Sequence, residues 1–489
     1  MYWTRIVCKF VLLTLLTLPV AGFSPSAALA DDEEKTKFHL AGDLDISFNY
    51  ADGVAFNNNR NMDAFSVPQR LRLFASAIVS NEFSLHALVR IKPDRWGEDG
   101  TPNSGYNLDG DGNIFLTRFI FAKWKPYDKT NVHMGIIPLA LPFAGYRNGV
   151  LDTSVGGISA DYSFTPDMKA TLAWGRAYDN VDRATGKTDD DADLFVLMAS
   201  LNFPEYNFKF SPWAVYANIG DDSKYWQDRV PHITHSPVIP GVNPWDAPRR
   251  KTVHNSGDGI WAGFASAFTN GPFSLKADFA YGQITTDKCS QAEALNYNTS
   301  GWHASLKADY KLSWGVPALF GWYASGSDYD DVVNDQKWGH LPSISTFGDG
   351  FAPTSLGFPG GGQGMINTGG LISFVPSGKW GAGAEIDEIS FIENVKHTIR
   401  VAYYAGTNDN ELAANNPMGN LANTKRDFIL MVKDDHIVEV NFDHVWQFSP
   451  KVKIALFMGY MDIHRSGKWG NQRNLDDVYA ASLSFKYQF

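Results

Sequence analysis

Apolar and polar residues alternate along most of this chain. In the last eleven residues, YAASLSFKYQF, the odd-numbered positions from Tyr479 to Phe489 are apolar, and the positions between them are mostly small or polar. Alternation with period two places the two sets on opposite faces of a β-strand. The same pattern occurs near the start, in KFHLAGDLDISFNY, and again in RLRLFASAIV. The sequence therefore predicts strands that are apolar on one face only.

Counting such segments from residue 37 onward gives eighteen predicted strands, with sixteen as the alternative count. Short turns such as Thr165-Pro166-Asp167 and Ser449-Pro450 alternate with loops of roughly ten to fifty residues. Short connections at one end and long ones at the other are typical of an antiparallel barrel that crosses the bacterial outer membrane, with periplasmic turns and extracellular loops.

A soluble β-sandwich is the alternative fold, because it also contains half-buried strands. Three features favour the barrel. The strands have about ten to twelve residues, as a tilted membrane-spanning strand requires, large aromatic residues lie near their ends, and the chain finishes on Phe489. We therefore predict an all-β protein, a transmembrane antiparallel β-barrel.

The first thirty residues indicate export. Arg5 and Lys9 precede a short apolar run over residues 10–21, and Ala28-Leu29-Ala30 offers a cleavage site. We predict a signal peptide over 1–30 and a single barrel domain over 31–489. Together with the strand pattern, export predicts a location in the outer membrane of a Gram-negative bacterium.

Charge and cysteine content narrow the function classes. The net charge is −11, and cleavage after Ala30 would remove two basic residues, so the composition argues against a nucleic-acid partner. Of the two cysteines, Cys8 leaves with the signal peptide. Cys289 then stands alone, and the mature chain has no intramolecular disulfide.

The polar face of the second and third predicted strands is strongly basic. Arg70, Arg72, Arg90 and Lys92 alternate with apolar residues, so they are expected on the inner wall of the barrel, where charges avoid lipid. The positive charges of this cluster would produce a local electric field across the lumen. Local pairing of these cations with acidic neighbours is the alternative.

Three segments resemble a known family, and the likeness is clearest over roughly residues 66 to 164. RLRLFASAIVSNEFSLHALVRI, NLDGDGNIFLTRFIFAKW and VHMGIIPLALPFAGYRNGVLDTSVGGISADYSF look like the homotrimeric outer-membrane porins of sulfate-reducing bacteria. The resemblance implies a water-filled, trimeric barrel that admits small hydrophilic solutes and ions by passive diffusion.

In such trimeric porins the loop after the fifth strand folds inward and narrows the pore. Residues 138–156 take that place here. The resemblance implies that Asp152 faces the basic cluster, with Tyr146 and Arg147 nearby. An ordinary surface loop is the alternative.

The segment NLDGDGN leaves two interpretations open. Asn107, Asp109 and Asp111 match the first, third and fifth positions of a calcium loop, but Arg118 stands where the bidentate glutamate belongs. Calcium binding is one interpretation and a plain Asp-Gly turn is the other. No other cofactor is predicted.

Several alternatives to a general diffusion channel stay open. They are a substrate-selective channel, an outer-membrane enzyme and a structural barrel with a filled lumen. The expected partners are outer-membrane lipid, lipopolysaccharide and the barrel-assembly machinery. Phe485, Tyr487 and Phe489 resemble the terminal aromatic signal that this machinery reads.

Overall fold

The computed structural model describes residues 36–52, 64–91, 96, 115–147, 149–179, 191–220, 223, 256–286, 298–335, 337–344, 351–358, 376–414, 431–468 and 477–489. The predicted signal peptide lies outside these ranges. No helix within them has the length and hydropathy needed to cross a bilayer.

Residues from Lys37 to Phe489 form one unit whose strands belong to a single sheet. The strands are β1 (Lys37–Asp52), β2 (Ala64–Ser66), β3 (Gln69–Ile78), β4 (Phe83–Ile91), β5 (Phe115–Tyr127), β6 (Thr130–Ala140), β7 (Asp152–Thr165), β8 (Met168–Tyr178), β9 (Ala192–Phe203), β10 (Phe208–Ile219), β11 (Gly257–Asn270), β12 (Phe273–Thr286), β13 (Asn298–Tyr310), β14 (Val316–Ala324), β15 (Lys337–Trp338), β16 (Lys379–Ile392), β17 (Val395–Gly406), β18 (His436–Ser449), β19 (Val452–His464) and β20 (Val478–Gln488). Three short helices, Pro204–Tyr206, Tyr329–Asp335 and Glu411–Ala414, lie between them.

Eighteen of these strands form a closed antiparallel wall, because β20 pairs with β1. β2 and β15 are short strands that pair beside the wall. The predicted count of eighteen is confirmed and the alternative of sixteen is wrong. One end of the barrel carries only short connections, such as 166–167 and 271–272, and we call it the turn end. The opposite end, with the long connections, is the loop end.

The two faces of the wall differ as the alternation predicts. On β1, Asp45, Ser47 and Asn49 are buried inside the barrel, whereas Phe48 and Tyr50 are exposed on the outside. Exposed aromatic rings mark both ends of the outer surface. At the loop end they include Trp302, Tyr323, Trp380 and Tyr403, and at the turn end Phe164, Tyr310, Trp314, Trp446 and Phe448. Two aromatic belts around an apolar band are typical of outer-membrane barrels.

Buried apolar residues lie inside the barrel in two clusters. In the first cluster Val150 and Leu151 pack with Trp213 and Trp261 of the wall. In the second, Tyr146 packs with Trp322, Phe351, Phe358 and Tyr404. Connections that fold back into the barrel therefore supply much of its core.

The C-terminal residue completes the closure of the barrel. Phe489 accepts a hydrogen bond from the Gly42 amide at 2.9 Å and donates one to the Gly42 carbonyl at 3.0 Å. Its ring lies so close to Gly42 that a Cβ there would come within 2.6 Å of Phe489 Cζ. Glycine at position 42 thus leaves room for the terminal ring.

We expect deletion of Phe489 to lower the yield of folded barrel, because it removes both closing hydrogen bonds and the ring over Gly42. The measurement is the fraction of heat-modifiable protein in outer-membrane preparations. Phe489→Tyr, which keeps the ring and the backbone, is the matched control. Equal folded fractions for the deletion and wild type would contradict this role.

Candidate functional site

The connection between β6 and β7 folds into the barrel. Its bounds differ from the predicted 138–156, because Pro138 pairs with Ser154 and Ala140 with Asp152 as part of the wall. The strands thus extend further than the sequence indicated. Residues 141–151 remain as the connection, and we call them the first inward segment.

A carboxylate on a distant strand holds the first inward segment. Asp278 of β12 accepts hydrogen bonds from the backbone amides of Ala144 at 2.6 Å, Gly145 at 2.8 Å and Tyr146 at 3.3 Å. Three amide donors converging on one ionised group are a strong, geometrically specific anchor. The segment therefore extends from β6 across the interior to β12.

Residues 351–358, which we call the second inward segment, are held by hydrogen bonds to β18 and to Arg400 of β17. Three successive inward residues of β18 bind its backbone or hydroxyl groups. Glu439 accepts from the amides of Leu356 and Gly357 at 2.9 and 3.1 Å. Asn441 Oδ1 accepts from the Ser355 amide at 3.1 Å, and Asp443 accepts from the Ser355 hydroxyl.

The two inward segments meet in a cluster of aromatic rings. The ring centroids of Tyr146 and Phe351 are 5.3 Å apart. Phe351 also contacts Trp322 of β14 at 5.6 Å and His303 of β13 at 5.1 Å. Burial raises the pKa of the Tyr146 hydroxyl above its usual range, so this group stays protonated.

A charged network lies beside this cluster. Glu385 of β16 pairs with Lys307 of β13, and with Arg400 of β17 at 2.7 Å. Arg400 also donates to the Ser355 hydroxyl at 3.0 Å and lies 3.5 Å from Asp443. The ions therefore connect the wall to the second inward segment. Because each buried charge has a partner, the network avoids the cost of an isolated ion.

The predicted basic cluster is paired locally. Arg70 binds Asp45 at 2.9 Å, and Arg72 binds Asp43 at 2.7 Å. In both pairs the acid lies on β1, opposite the arginine in the β1–β3 register. Arg90 is also engaged in an interaction, and Lys92 lies outside the described residues.

Asp152 pairs with a neighbour in sequence. Its carboxylate binds Arg147 of the first inward segment at 2.9 Å. The expectation that Asp152 faces the basic cluster, which includes Arg72, stays a prediction, because a local ion pair at each residue is compatible with their facing each other across the lumen.

The inner wall differs between its two sides. From β10 to β14, Trp213, Trp261, Phe320 and Trp322 expose 4% or less of their surface. From β3 to β8 apolar inward residues such as Ile137 and Val155 are buried, but charged inward side chains are half-exposed. Arg72 keeps 33% of its side-chain surface accessible and Lys169 keeps 45%. Since these residues point away from the outer surface, an accessible lumen must lie beside them.

Aromatic and imidazole rings also line this accessible side. Phe121 lies 5.2 Å from His86, 5.6 Å from Phe119 and 5.5 Å from His133, measured between ring centroids. A β-bulge turns Phe119 and Phe121 inward, because Leu88 pairs with Phe119 and Val89 with Thr117, which skips one residue and reverses the alternation.

The remaining predicted sites are not brought together by the structure. Asn107, Asp109 and Asp111 lie outside the described residues. Within the described ranges, no group of three or more His, Cys, Asp or Glu side chains is arranged to hold a metal ion. Phe485 and Tyr487 lie on the outer face of β20, where both are exposed.

Sequence comparison finds neither a family model nor a curated protein that matches the chain. Solved structures do match. The structure of OccAB4 from Acinetobacter baumannii aligns with a TM-score of 0.51 at 12% identity. The alignment covers 94% of this chain and 100% of the OccAB4 chain. The fold is that of an outer-membrane porin. A BenF-like porin from Pseudomonas fluorescens Pf-5 matches this porin fold with a TM-score of 0.51 at 9% identity, over 93% of this chain and 98% of its own. At such identities the likeness concerns the fold alone.

We expect Asp278→Ala to release the first inward segment, because its three amides lose their acceptor. The measurement is hydrogen exchange by mass spectrometry, where the amides of residues 144–146 should exchange at least about tenfold faster. Asp309→Ala, which removes a carboxylate paired with Lys276 on the same side of the barrel, is the control and should leave these amides protected. Unchanged exchange in Asp278→Ala would exclude this anchor.

Proposed function

We propose that the protein is an outer-membrane channel through which small hydrophilic solutes and ions diffuse passively. One observation carries the proposal. The wall is closed and apolar outside, while charged side chains on its inner face, from β3 to β8, remain half-exposed. Inward charges exposed within a closed wall require water beside them. The two inward segments narrow this path, since both are held inside the barrel.

General diffusion is the function that this arrangement supports best. Among the described residues, most interior aromatic rings, such as Trp322 and Phe351, are buried in the clusters around the inward segments, so these rings offer a solute little exposed surface. A substrate-selective channel is the second candidate. The half-exposed patch around Phe121, with Phe119 and His133, is the observation that favours it, because an exposed aromatic ring can hold a solute by its flat face.

We extend the proposal to the assembly of the protein. A homotrimer is supported by the resemblance to trimeric porins. The aromatic strand end at Phe485, Tyr487 and Phe489 supports recognition by the barrel-assembly machinery. The belts of exposed rings support contact of the outer surface with lipid and lipopolysaccharide.

An enzymatic role receives no comparable support. Ser84 and His86 are hydrogen-bonded at 2.9 Å, as a nucleophile and base would be. A carboxylate that orients the imidazole would complete such a site. Among the described residues, His86 forms its hydrogen bond with Ser84 and its ring contacts with Phe74 and Phe121, and the charged group that acts on it is Lys123.

The test is conductance of the purified mature protein in a planar lipid bilayer. We expect discrete current steps, in groups of three for a trimer, and a reversal potential across a salt gradient that reports ion preference. Folding is established beforehand by heat modifiability on gels. A silent bilayer from folded protein would refute the channel and favour a structural barrel.

The pairing of the charges gives a sharper expectation for ion preference. Because Arg72 pairs with Asp43 and Asp152 with Arg147, Arg72→Gln and Asp152→Asn should shift the reversal potential independently, and their effects should add in the double variant. The matched control is the pair Arg147→Gln and Asp152→Asn, because these two side chains are in contact. The shifts in reversal potential of these two variants should therefore not add in the double variant. Strong coupling between Arg72 and Asp152 would show that they face each other after all.

A further inference from the structure

Two lysines lie opposite each other on the inner wall near the turn end. Lys453 of β19 pairs directly with Lys486 of β20 in the register of the sheet. Both point into the barrel, because Ala455 and Ser484, two residues away on the same faces, are buried inside it, whereas Phe485 is exposed on the outer surface. Directly opposite residues of an antiparallel pair have Cβ atoms about 4.5–5.5 Å apart, so both ammonium groups can reach the same small region of the lumen.

The charges of these two lysines are not neutralised by the described part of the protein. Within it, neither ammonium group forms an ion pair or a hydrogen bond with another side chain. Lys453 is exposed and Lys486 is half-buried, so both are accessible from the lumen. Like charges directly opposite each other destabilise a strand pair. The wall therefore carries two uncompensated positive charges at a place where they weaken its own pairing.

The acidic residue beside this pair is already engaged. Asp45 of β1 lies directly opposite Lys486, on the other side of β20. Its Oδ2 atom binds Arg70 at 2.9 Å, and its Oδ1 atom accepts a hydrogen bond from the Ser484 hydroxyl at 3.2 Å. Because both oxygens of this carboxylate have other partners, the positive charge of Lys486 stays uncompensated.

A second pair of opposed lysines shows how the barrel neutralises such a pair. Lys276 of β12 lies directly opposite Lys307 of β13. Each has its own carboxylate, since Lys276 binds Asp309 at 3.2 Å and Lys307 binds Glu385. The two lysine pairs thus occupy equivalent positions in the sheet register and differ in charge balance. Only the pair on β19 and β20 leaves its positive charges available to an anion in the lumen.

Charge and donor number indicate which anion fits between Lys453 and Lys486. The two ammonium groups carry one positive charge each and three N–H donors each. A divalent oxyanion balances both charges and offers acceptor oxygens to both groups, whereas chloride or a single carboxylate balances only one charge. Lysine binds a phosphate group as a point charge and does not require a planar ligand. A phosphate-type dianion therefore matches this pair.

We propose that Lys453 and Lys486 form a binding site for small phosphate-type oxyanions on the inner wall, near the turn end of the barrel. The bound anion lies between the two ammonium groups and replaces their repulsion with two charge-assisted contacts. This inference rests on the proposed channel function, because the lumen supplies the water through which the anion arrives. It adds oxyanions to the solutes for which the channel has a specific site.

Calorimetric titration of inorganic phosphate into the folded protein in detergent tests the site without any measurement of current. Low ionic strength is required, since salt screens exposed charges. Wild-type protein should show saturable binding. Lys453→Gln and Lys486→Gln should each weaken the affinity at least about tenfold, because each removes one charge-assisted contact. Lys276→Gln is the matched control, since that charge is already bound to Asp309, and its affinity for phosphate should equal that of wild type.

Stability without phosphate gives a second, independent measurement. In phosphate-free buffer, Lys486→Gln should not lower the midpoint temperature of heat modifiability, because it removes a repulsion. Lys276→Gln should lower this midpoint, because it leaves Asp309 without its ion-pair partner. Addition of phosphate should raise the midpoint of wild type more than that of Lys486→Gln. A lower midpoint for Lys486→Gln in phosphate-free buffer would show that this lysine has a structural partner, and would overturn the site.

The outcomes separate the anion site from the channel. Equal phosphate affinity in wild type, Lys453→Gln and Lys486→Gln would overturn the site, as would absence of binding to folded wild type, and conductance in the bilayer would then still support the channel. Binding that depends on both lysines, in a protein that stays silent in the bilayer, would support the site and refute the channel.

Discussion

Closure of the sheet is the constraint on which the rest of the structure depends. A strand that crosses a bilayer cannot leave its amides and carbonyls without partners, so the wall must return to its first strand. β20 does this by pairing with β1 from Asp43 to Asp52, and Phe489 extends the pairing to Gly42. In a closed wall each side chain lies either on the outer, lipid-facing surface or on the inner surface. Because successive residues of a strand point to opposite faces, the alternation determines which surface each residue occupies.

The interior is not uniform, and the inward segments account for the difference. Apolar inward residues of β10 to β14 would be poorly placed in a water-filled lumen, and segments 141–151 and 351–358 cover several of them. On the other side, from β3 to β8, inward charges are left accessible. A barrel of this size therefore combines a packed core with an aqueous path in the same cross-section, and carboxylates such as Asp278 and Glu439 define the border between them.

The sequence could predict what depends on local periodicity. The wall, its closure and the inward position of Arg72 all follow from alternation. The partner of Arg72 was also within reach, because Asp43 lies at the opposite position of the adjacent strand. The inward position of Phe119 could not be predicted, because a single extra residue in β5 reverses the alternation and no glycine or proline marks it in the sequence.

Contacts of the inward segments were beyond prediction for another reason. Asp278 is separated by more than a hundred residues from the amides that it binds, and nothing in the local sequence of β12 distinguishes it from other inward acids. The same separation has a consequence for biogenesis. The segment between β6 and β7 finds its anchor only after β12 has joined the sheet, and long-range contacts of this kind form late. The first inward segment is thus fixed inside the barrel only after the strand that anchors it has become part of the wall.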